Sequence, residues 1–261
     1  MTASTTRSGV ISVSDLDEAI STLEFALPVA EDAMTQDEEW AVVRVDKEWR
    51  RVRLHDYDEV FVVPGLYEKW VYHALKCASP SKVVDLLSRA MEEAGEDPTD
   101  LRVLDLGAGN GYVGEELAKI GVDHLVGADI CPQAAEATER DRPGLYRDYA
   151  VGDITDPPVE AKAVLDAHDF NALVCVAALG FGDIPTEVFM AAFDRVSTGG
   201  WVAFNIKSDF LDNADSSGFA RMIREMIESG KIELAARDRY VHRLAPDGGK
   251  LMYEAIIGRK R

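Results

Sequence analysis

The stretch Leu101–Tyr112, LRVLDLGAGNGY, decides the fold. Its apolar run around Val103–Leu106 reads as a buried strand, and Gly107, Gly109 and Gly111 follow at once, ahead of a helical pattern. Glycines there let the backbone turn tightly and approach a ligand closely, while the helix behind them offers open N–H groups. One residue does not suit a plain core strand. Asp105 is a carboxylate inside the apolar run, and burying it costs several kcal/mol unless a cation or hydrogen-bond donors meet it.

Outward from this stretch the pattern alternates. Strands are expected at Arg102–Leu106, His124–Asp129, Tyr146–Val151, Asn171–Ala177, Trp201–Ile206, Lys231–Ala236 and Lys250–Gly258. Helices are expected at Tyr112–Ile120, Pro132–Asp141, Glu187–Val196 and Ser217–Ser229. Such alternation predicts an α/β fold with a parallel sheet covered on both faces. The last two strands instead follow each other through His242–Gly249, whose Pro-Asp-Gly-Gly signals a hairpin. Before residue 101 the signals differ. Ser14 is positioned to cap a helix over Asp15–Ala26, and Trp40–Asp46 with Trp49–Leu54 read as a hairpin. Pro64 and Pro80 are placed to open helices running through Cys77 and Ala94. The division expected is an N-terminal extension (1–55), a lid with connecting helices (56–100) and a ligand-binding core (101–261).

The glycines are spaced G-x-G-x-G, one residue short of the dinucleotide fingerprint G-x-G-x-x-G. An acid just ahead of the loop would also repel a pyrophosphate. Asp105 instead fits a ligand presenting a cation, such as the α-ammonium of S-adenosylmethionine (SAM); a structural carboxylate bonded to loop amides is the competing reading. Asp129 ends the second strand about twenty residues on, where a carboxylate takes both ribose hydroxyls. Ile130 would lie against an adenine face, and Asp153 would accept from the adenine amine, unless it is an ordinary loop acid.

The segments VLDLGAGNG, GADI, VGDI and VSTGGWVAF resemble, in order and separation, the motifs of class I SAM-dependent methyltransferases. Within that class GYVGEELAKIG, CVAALGFGDIP, VAFNIKSDFL and the terminal YEAIIGRKR are most similar to the Williams–Beuren-region methyltransferase-like proteins and their bacterial relatives. The resemblance covers about Asp56–Arg261 and not the first fifty residues. It implies a Rossmann-like, seven-stranded, mostly parallel sheet ending in an antiparallel hairpin, with SAM as cofactor and S-adenosylhomocysteine (SAH) as product. It further implies cofactor contacts from Tyr57, Asp105, Gly107, Ala108, Gly109, Gly111, Asp129, Ile130, Asp153, Ile154, Cys175 and Val176. HDYDEVFVVPGLYEKW (His55–Trp70) resembles the Tyr-Asp-containing lid of small-molecule methyltransferases, from which Tyr57 and Tyr67 would reach the methionine end of SAM. His55, Tyr67, His73 and Asp183 are the candidate catalytic groups, with Lys207 and Asp209 expected on the same rim. Packing roles compete for each.

Composition limits the partners. The chain has 28 basic and 47 acidic residues, a net charge of −19, whereas nucleic-acid binders present a basic face. Nucleic acid and anionic membranes are therefore excluded as expected partners; Arg44, Lys47, Arg50, Arg51 and Arg53 read as the solvated face of a hairpin. Cys77, Cys131 and Cys175 form no Cys-x-x-Cys pair and the histidines no ligand spacing, so no metal is expected. Cys131 reads as packing at a helix entry. No apolar run is long enough to span a bilayer and MTASTTRSGV lacks a signal-peptide core, so a cytoplasmic location is expected. CVAALGFGD carries no Asn-Pro-Pro-Tyr type sequence for a planar amide or amine. The functional expectation is methyl transfer to oxygen or nitrogen of a small molecule, with in-line positioning as the main catalytic effect. A non-catalytic SAM/SAH-binding sensor and an NAD(P)-linked oxidoreductase are the alternatives. The aromatics before residue 93 would dock a mobile lid or build a homodimer interface.

Overall fold

A computed structural model describes residues 13–28, 35–180, 183–211 and 217–261. Its centre is a seven-stranded sheet ordered β6-β5-β4-β7-β8-β10-β9. The strands are β4 (Arg102–Leu106), β5 (His124–Asp129), β6 (Asp148–Val151), β7 (Phe170–Cys175), β8 (Val196–Lys207), β9 (Ile232–Leu244) and β10 (Lys250–Lys260). Pairings from β6 through β8 are parallel, and β10 runs antiparallel between β8 and β9. The chain leaves β4 first toward β5 and β6, then returns past β4 to β7. That reversal opens a crevice at the carboxyl end of β4, where doubly wound sheets bind ligands.

Alternation along β4 divides the core. Leu104 and Leu106 join Phe189 and Phe204 on one face, whereas Val103 joins Val83, Leu87, Val113 and Leu117 on the other. The covering helices are α3 (Ser79–Glu93), α4 (Tyr112–Lys119), α5 (Pro132–Asp141), α6 (Val159–Asp166), α7 (Thr186–Asp194) and α8 (Phe219–Glu228). Pro80 lies in the first turn of α3 and Pro132 opens α5, where proline's missing N–H costs nothing. Helix α6 was not expected from the sequence: Asp156-Pro157-Pro158 reads as a breaker, and only one turn or two of amphipathic pattern follow it.

The N-terminal residues depart from expectation. Helix α1 spans Val13–Thr22 and is followed by a two-residue strand β1 (Phe25–Ala26), which adds to the hairpin β2 (Trp40–Val45) and β3 (Glu48–Arg53). The proposed capping side chain, Ser14, and the acidic pair Glu31-Asp32 lie outside the described side chains. The hairpin turns through Asp46 (φ 53°) and Lys47 (φ 68°), both left-handed as a two-residue turn of this hand requires. In place of one helix from Pro64 there are α2 (Tyr57–Phe61) and a wide helical turn, Glu68–Ala74, in which Leu75 N–H bonds back five residues to Trp70 O at 2.9 Å.

These pieces share one core. Ala41, Val43, Val52 and Leu54 of the hairpin are buried against Val60, Leu66, Trp70, Val71 and Leu75. The hairpin thus shares its core with residues 60–75, across the expected boundary at 55/56. Trp49, expected as a docking anchor, is 55% exposed. Buried ion pairs fasten the unit to the sheet and to the end of α5. Arg243 of β9 donates from both terminal nitrogens to Glu39, at 3.1 and 2.7 Å, and both side chains are buried. Arg142 donates to Glu68 at 3.0 Å. Breaking either would strand a buried charge, which costs about 3–5 kcal/mol.

Candidate active site

A cavity of about 330 Å³ lies at the carboxyl ends of β4, β5 and β7, within the size range of cofactor and small-molecule sites. Its floor is the glycine loop. Gly107 (φ 69°) and Gly109 (φ 54°) are left-handed, and space as well as conformation requires them. A Cβ on Gly107 would come within 2.8 Å of Ala178 Cβ, and one on Gly109 within 3.3 Å of the Phe61 ring. Asn110, between Gly109 and Gly111, donates to buried Glu68 at 2.6 Å, and Arg142 donates to Asn110 O at 3.0 Å. The N-terminal unit thus grips the loop it covers.

Asp129 ends β5 and lines the cavity. Its Oδ2 accepts from Gly109 N–H and its Oδ1 from Cys131 N–H, each at 2.9 Å. Each oxygen keeps a lone pair, so the carboxylate can still accept two hydroxyls. Burial pushes its pKa up, against the pull of those amides. Ile130 beside it is 70% exposed although large and apolar, a side chain in want of a flat partner. Across from it stand buried Ile154 and exposed Asp153. The Asp153 Oδ1 accepts from Thr155 N–H and Thr155 Oγ1 at 2.8 and 2.7 Å; these bonds lower its pKa.

Asp105 is met by a tyrosine. Tyr146 OH donates to its Oδ2 at 2.6 Å, while Oδ1 is buried with no partner among the described residues. Asp105 is 1% exposed, and burial pushes its pKa up to about 7, with Tyr146 opposing and Asp129 adding to the rise. It lies beneath the loop, outside the cavity lining. Cys175 does not reach the cavity either: it is wholly buried in the sheet core, and the adjacent Val176 takes the lining position. Ala108 and Gly111 shape the loop without lining the space, with Ala108 N–H bonded to Ala128 O at 3.2 Å. Tyr57, Gly107, Gly109, Asp129, Ile130, Asp153, Ile154 and Val176 do line it.

The roof comes from before the core. Tyr57, Phe61 and Tyr67 face the cavity; Phe61 stacks on Tyr57 at 5.7 Å and meets Tyr67 at 5.2 Å. Phe61 also packs on Ala134 and Ala137 of α5, and Arg140 donates to Phe61 O at 3.0 Å. Behind this roof lies a smaller chamber of about 40 Å³, which shares Tyr57, Tyr67, Ala177 and Asp183 with the main cavity. His55 Nδ1 and Asp183 Oδ2 meet there at 3.2 Å. Ala177, at its wall, has φ 58°, a strained value for a residue with a Cβ. Its N–H donates to buried Asn205 Oδ1 at 2.6 Å, and Asn205 donates in turn to Ser79 and Tyr240. Of the candidate catalytic groups, His55, Tyr67 and Asp183 thus converge. His73 is exposed and lies outside both spaces. Lys207 and Asp209 form a pair at 3.0 Å and line neither space. Sequence reasoning placed Phe61 among the lid aromatics but missed Gln36, Arg243 and Tyr253 as chamber walls, and Glu68 with Arg142 as the loop's clamp.

A family model for the methyltransferase domain matches residues 73–252. The chain belongs to the methyltransferase-domain family. It is a class I SAM-dependent methyltransferase, and SAM is its cofactor. A ubiquinone biosynthesis O-methyltransferase of Paraburkholderia phytofirmans is 29% identical over 128 residues, 46% of this chain and 53% of that protein. One from Bordetella avium is 31% identical over 104 residues, 40% and 42% of the two chains. The chain thus matches about half the length of these relatives. Among solved structures, the N-methyltransferase NodS of Bradyrhizobium japonicum, in complex with SAH, is 15% identical with a TM-score of 0.51 over 78% of this chain and 96% of its own. A Thermoplasma acidophilum protein is 12% identical with a TM-score of 0.50 over 78% and 97%. At such identity these two share the fold. The finer likeness to Williams–Beuren-region proteins rests on the sequence motifs alone. No helix among the described residues is long and apolar enough to cross a membrane.

Proposed function

We propose that this methyltransferase acts on a small-molecule acceptor, at oxygen or nitrogen, in the cytoplasm. The observation that carries the reading is the roof: Tyr57, Phe61 and Tyr67 close the strand ends into a cavity of about 330 Å³, a space for small molecules rather than an open groove. Bound SAM supplies a methyl group made electrophilic by its sulfonium. The residues present fit it. Asp129 would take the ribose hydroxyls on its remaining lone pairs, Ile130 and Ile154 would flank the adenine, and Asp153 would accept from the adenine amine through Oδ2. Tyr57 and Tyr67 would face the methionine end, where the aromatic roof keeps water from the acceptor.

The low-identity relatives named O-methyltransferases support the same reading without fixing the acceptor. The test is SAH release, measured with panels of phenols, aliphatic alcohols and amines and with RNA and protein controls. Turnover of at least one small molecule is expected; turnover of macromolecules alone would overturn the reading.

A further inference from the structure

The inner chamber holds many polar groups but few that can take a proton. Burial raises the hydroxyl pKa of Tyr57 and Tyr67, and that of Tyr253 to about 12, so all three stay neutral. The Cys77 thiol is pushed up to about 11 by burial. His242, bonded to Ser79 Oγ at 2.6 Å, is driven well below its ordinary value by burial and by Arg243, which makes it a poor base. Arg243 is occupied by Glu39. Asp183 and His55 remain, paired at 3.2 Å, with Tyr57 edge-on to the imidazole at 5.7 Å. Asp183 stands at the mouth, lining both the cofactor cavity and the chamber.

The chamber's shape narrows the acceptor. At about 40 Å³ it has room for only a few waters, each needing about 10–15 Å³. It admits the edge of a flat group and leaves the remainder of the acceptor in the larger cavity. Three tyrosine rings wall it, which favours an aromatic ring in offset or edge contact. At its far end Gln36 Nε2 donates to Tyr253 OH at 3.0 Å, while Gln36 Oε1 is buried with no partner among the described residues. Whichever way that amide is turned, one of its heteroatoms has no partner among the described residues and is open to a ligand.

We propose that Asp183 and His55 form the proton-accepting couple of this site. The acceptor is then an aromatic hydroxyl compound, its ring held among Tyr57, Tyr67 and Tyr253 and a second polar substituent directed at Gln36. The proposal rests on the small-molecule reading above and names its substrate class. The acceptor's O–H proton passes to the couple as the oxygen–carbon bond forms, and the electron pair of the broken carbon–sulfur bond stays on sulfur. The products are the methyl ether, SAH and one proton, released to water when the couple reopens. Such a couple is needed only for an acceptor protonated at neutral pH.

The test is SAH release from wild type, Asp183→Asn, His55→Gln and Gln36→Ala across substituted phenols of graded acidity, with amines and aliphatic alcohols alongside. Asp183→Asn and His55→Gln are expected to lose about 100- to 10,000-fold in kcat on weakly acidic phenols. On phenols already ionised at the assay pH the loss should shrink to less than about tenfold, because no proton remains to be taken. Gln36→Ala should raise KM only for rings that carry the second polar substituent. SAH binding by His55→Gln, measured calorimetrically, should match wild type and so report an intact fold. An equal loss across all acidities would make the pair structural and overturn the proposal, as would turnover of amines or aliphatic alcohols in preference to phenols. Those outcomes leave the methyltransferase reading standing; wild type turning over no small molecule removes both.

Discussion

Asp105→Asn tests the most unusual group in the site. Its carboxylate is buried with one oxygen on Tyr146 OH at 2.6 Å and the other unpartnered, and its pKa is pushed up to about 7 by burial. An unfolded aspartate titrates near ~3.9. The folded value being the higher, the folded protein binds the extra proton. Stability from this group is therefore fully present below about pH 4 and is lost as pH rises through about 7. The linkage integral gives a loss of about 1–2 kcal/mol by pH 5 and about 4 kcal/mol by pH 8, a difference of about 2–3 kcal/mol. Asparagine cannot ionise, keeps an oxygen for Tyr146 and resembles the protonated acid. Between pH 5 and pH 8 the variant should therefore gain about 2–3 kcal/mol relative to wild type, about 4–12 °C in Tm at roughly 2–4 °C per kcal/mol for a domain of this size. Denaturant or thermal melts of both ligand-free proteins at the two pH values measure it. Parallel pH dependence in the two proteins would refute the reasoning, because Asp105 would then have an ordinary pKa.

Gly109→Val places a branched side chain at φ 54° with its Cβ 3.3 Å from Phe61; far-UV circular dichroism should stay unchanged while SAH binding is lost, and retained affinity would contradict the loop's role as a cradle. For the roof, hydrogen exchange at 56–77 should slow when SAH is added at constant protein concentration. Protection that follows protein concentration and ignores SAH would make those aromatics a dimer interface instead.

What the sequence disclosed was local. The strand β4, the glycines after it, the acid ending β5 and the acid just after β6 announce themselves within a few residues, because a buried strand, a tight turn and a helix start each leave a short pattern. The floor and rim of the main cavity follow from them. The inner chamber does not, since Gln36 meets Tyr253 across 217 positions and His55 meets Asp183 across 128; neither segment carries a pattern that points to the other. Asp105 shows a different limit. An acid in a strand announces that something meets it, but Tyr146, 41 residues away, reads in sequence as one more apolar strand residue. A helix of ordinary pitch was expected where the backbone widens at Glu68–Ala74.

The most direct test of the cofactor assignment is calorimetric titration of wild type and Asp129→Ala with SAH, with NADH as control. Asp129 holds the loop amides of Gly109 and Cys131 and has two lone pairs left for the ribose. Charge-assisted hydrogen bonds typically contribute about 1.5–3 kcal/mol, so wild type should bind SAH and not NADH, with affinity for SAH falling roughly tenfold to a hundredfold or more in the variant. NADH binding in place of SAH, or an Asp129→Ala affinity within about twofold of wild type, would contradict the account.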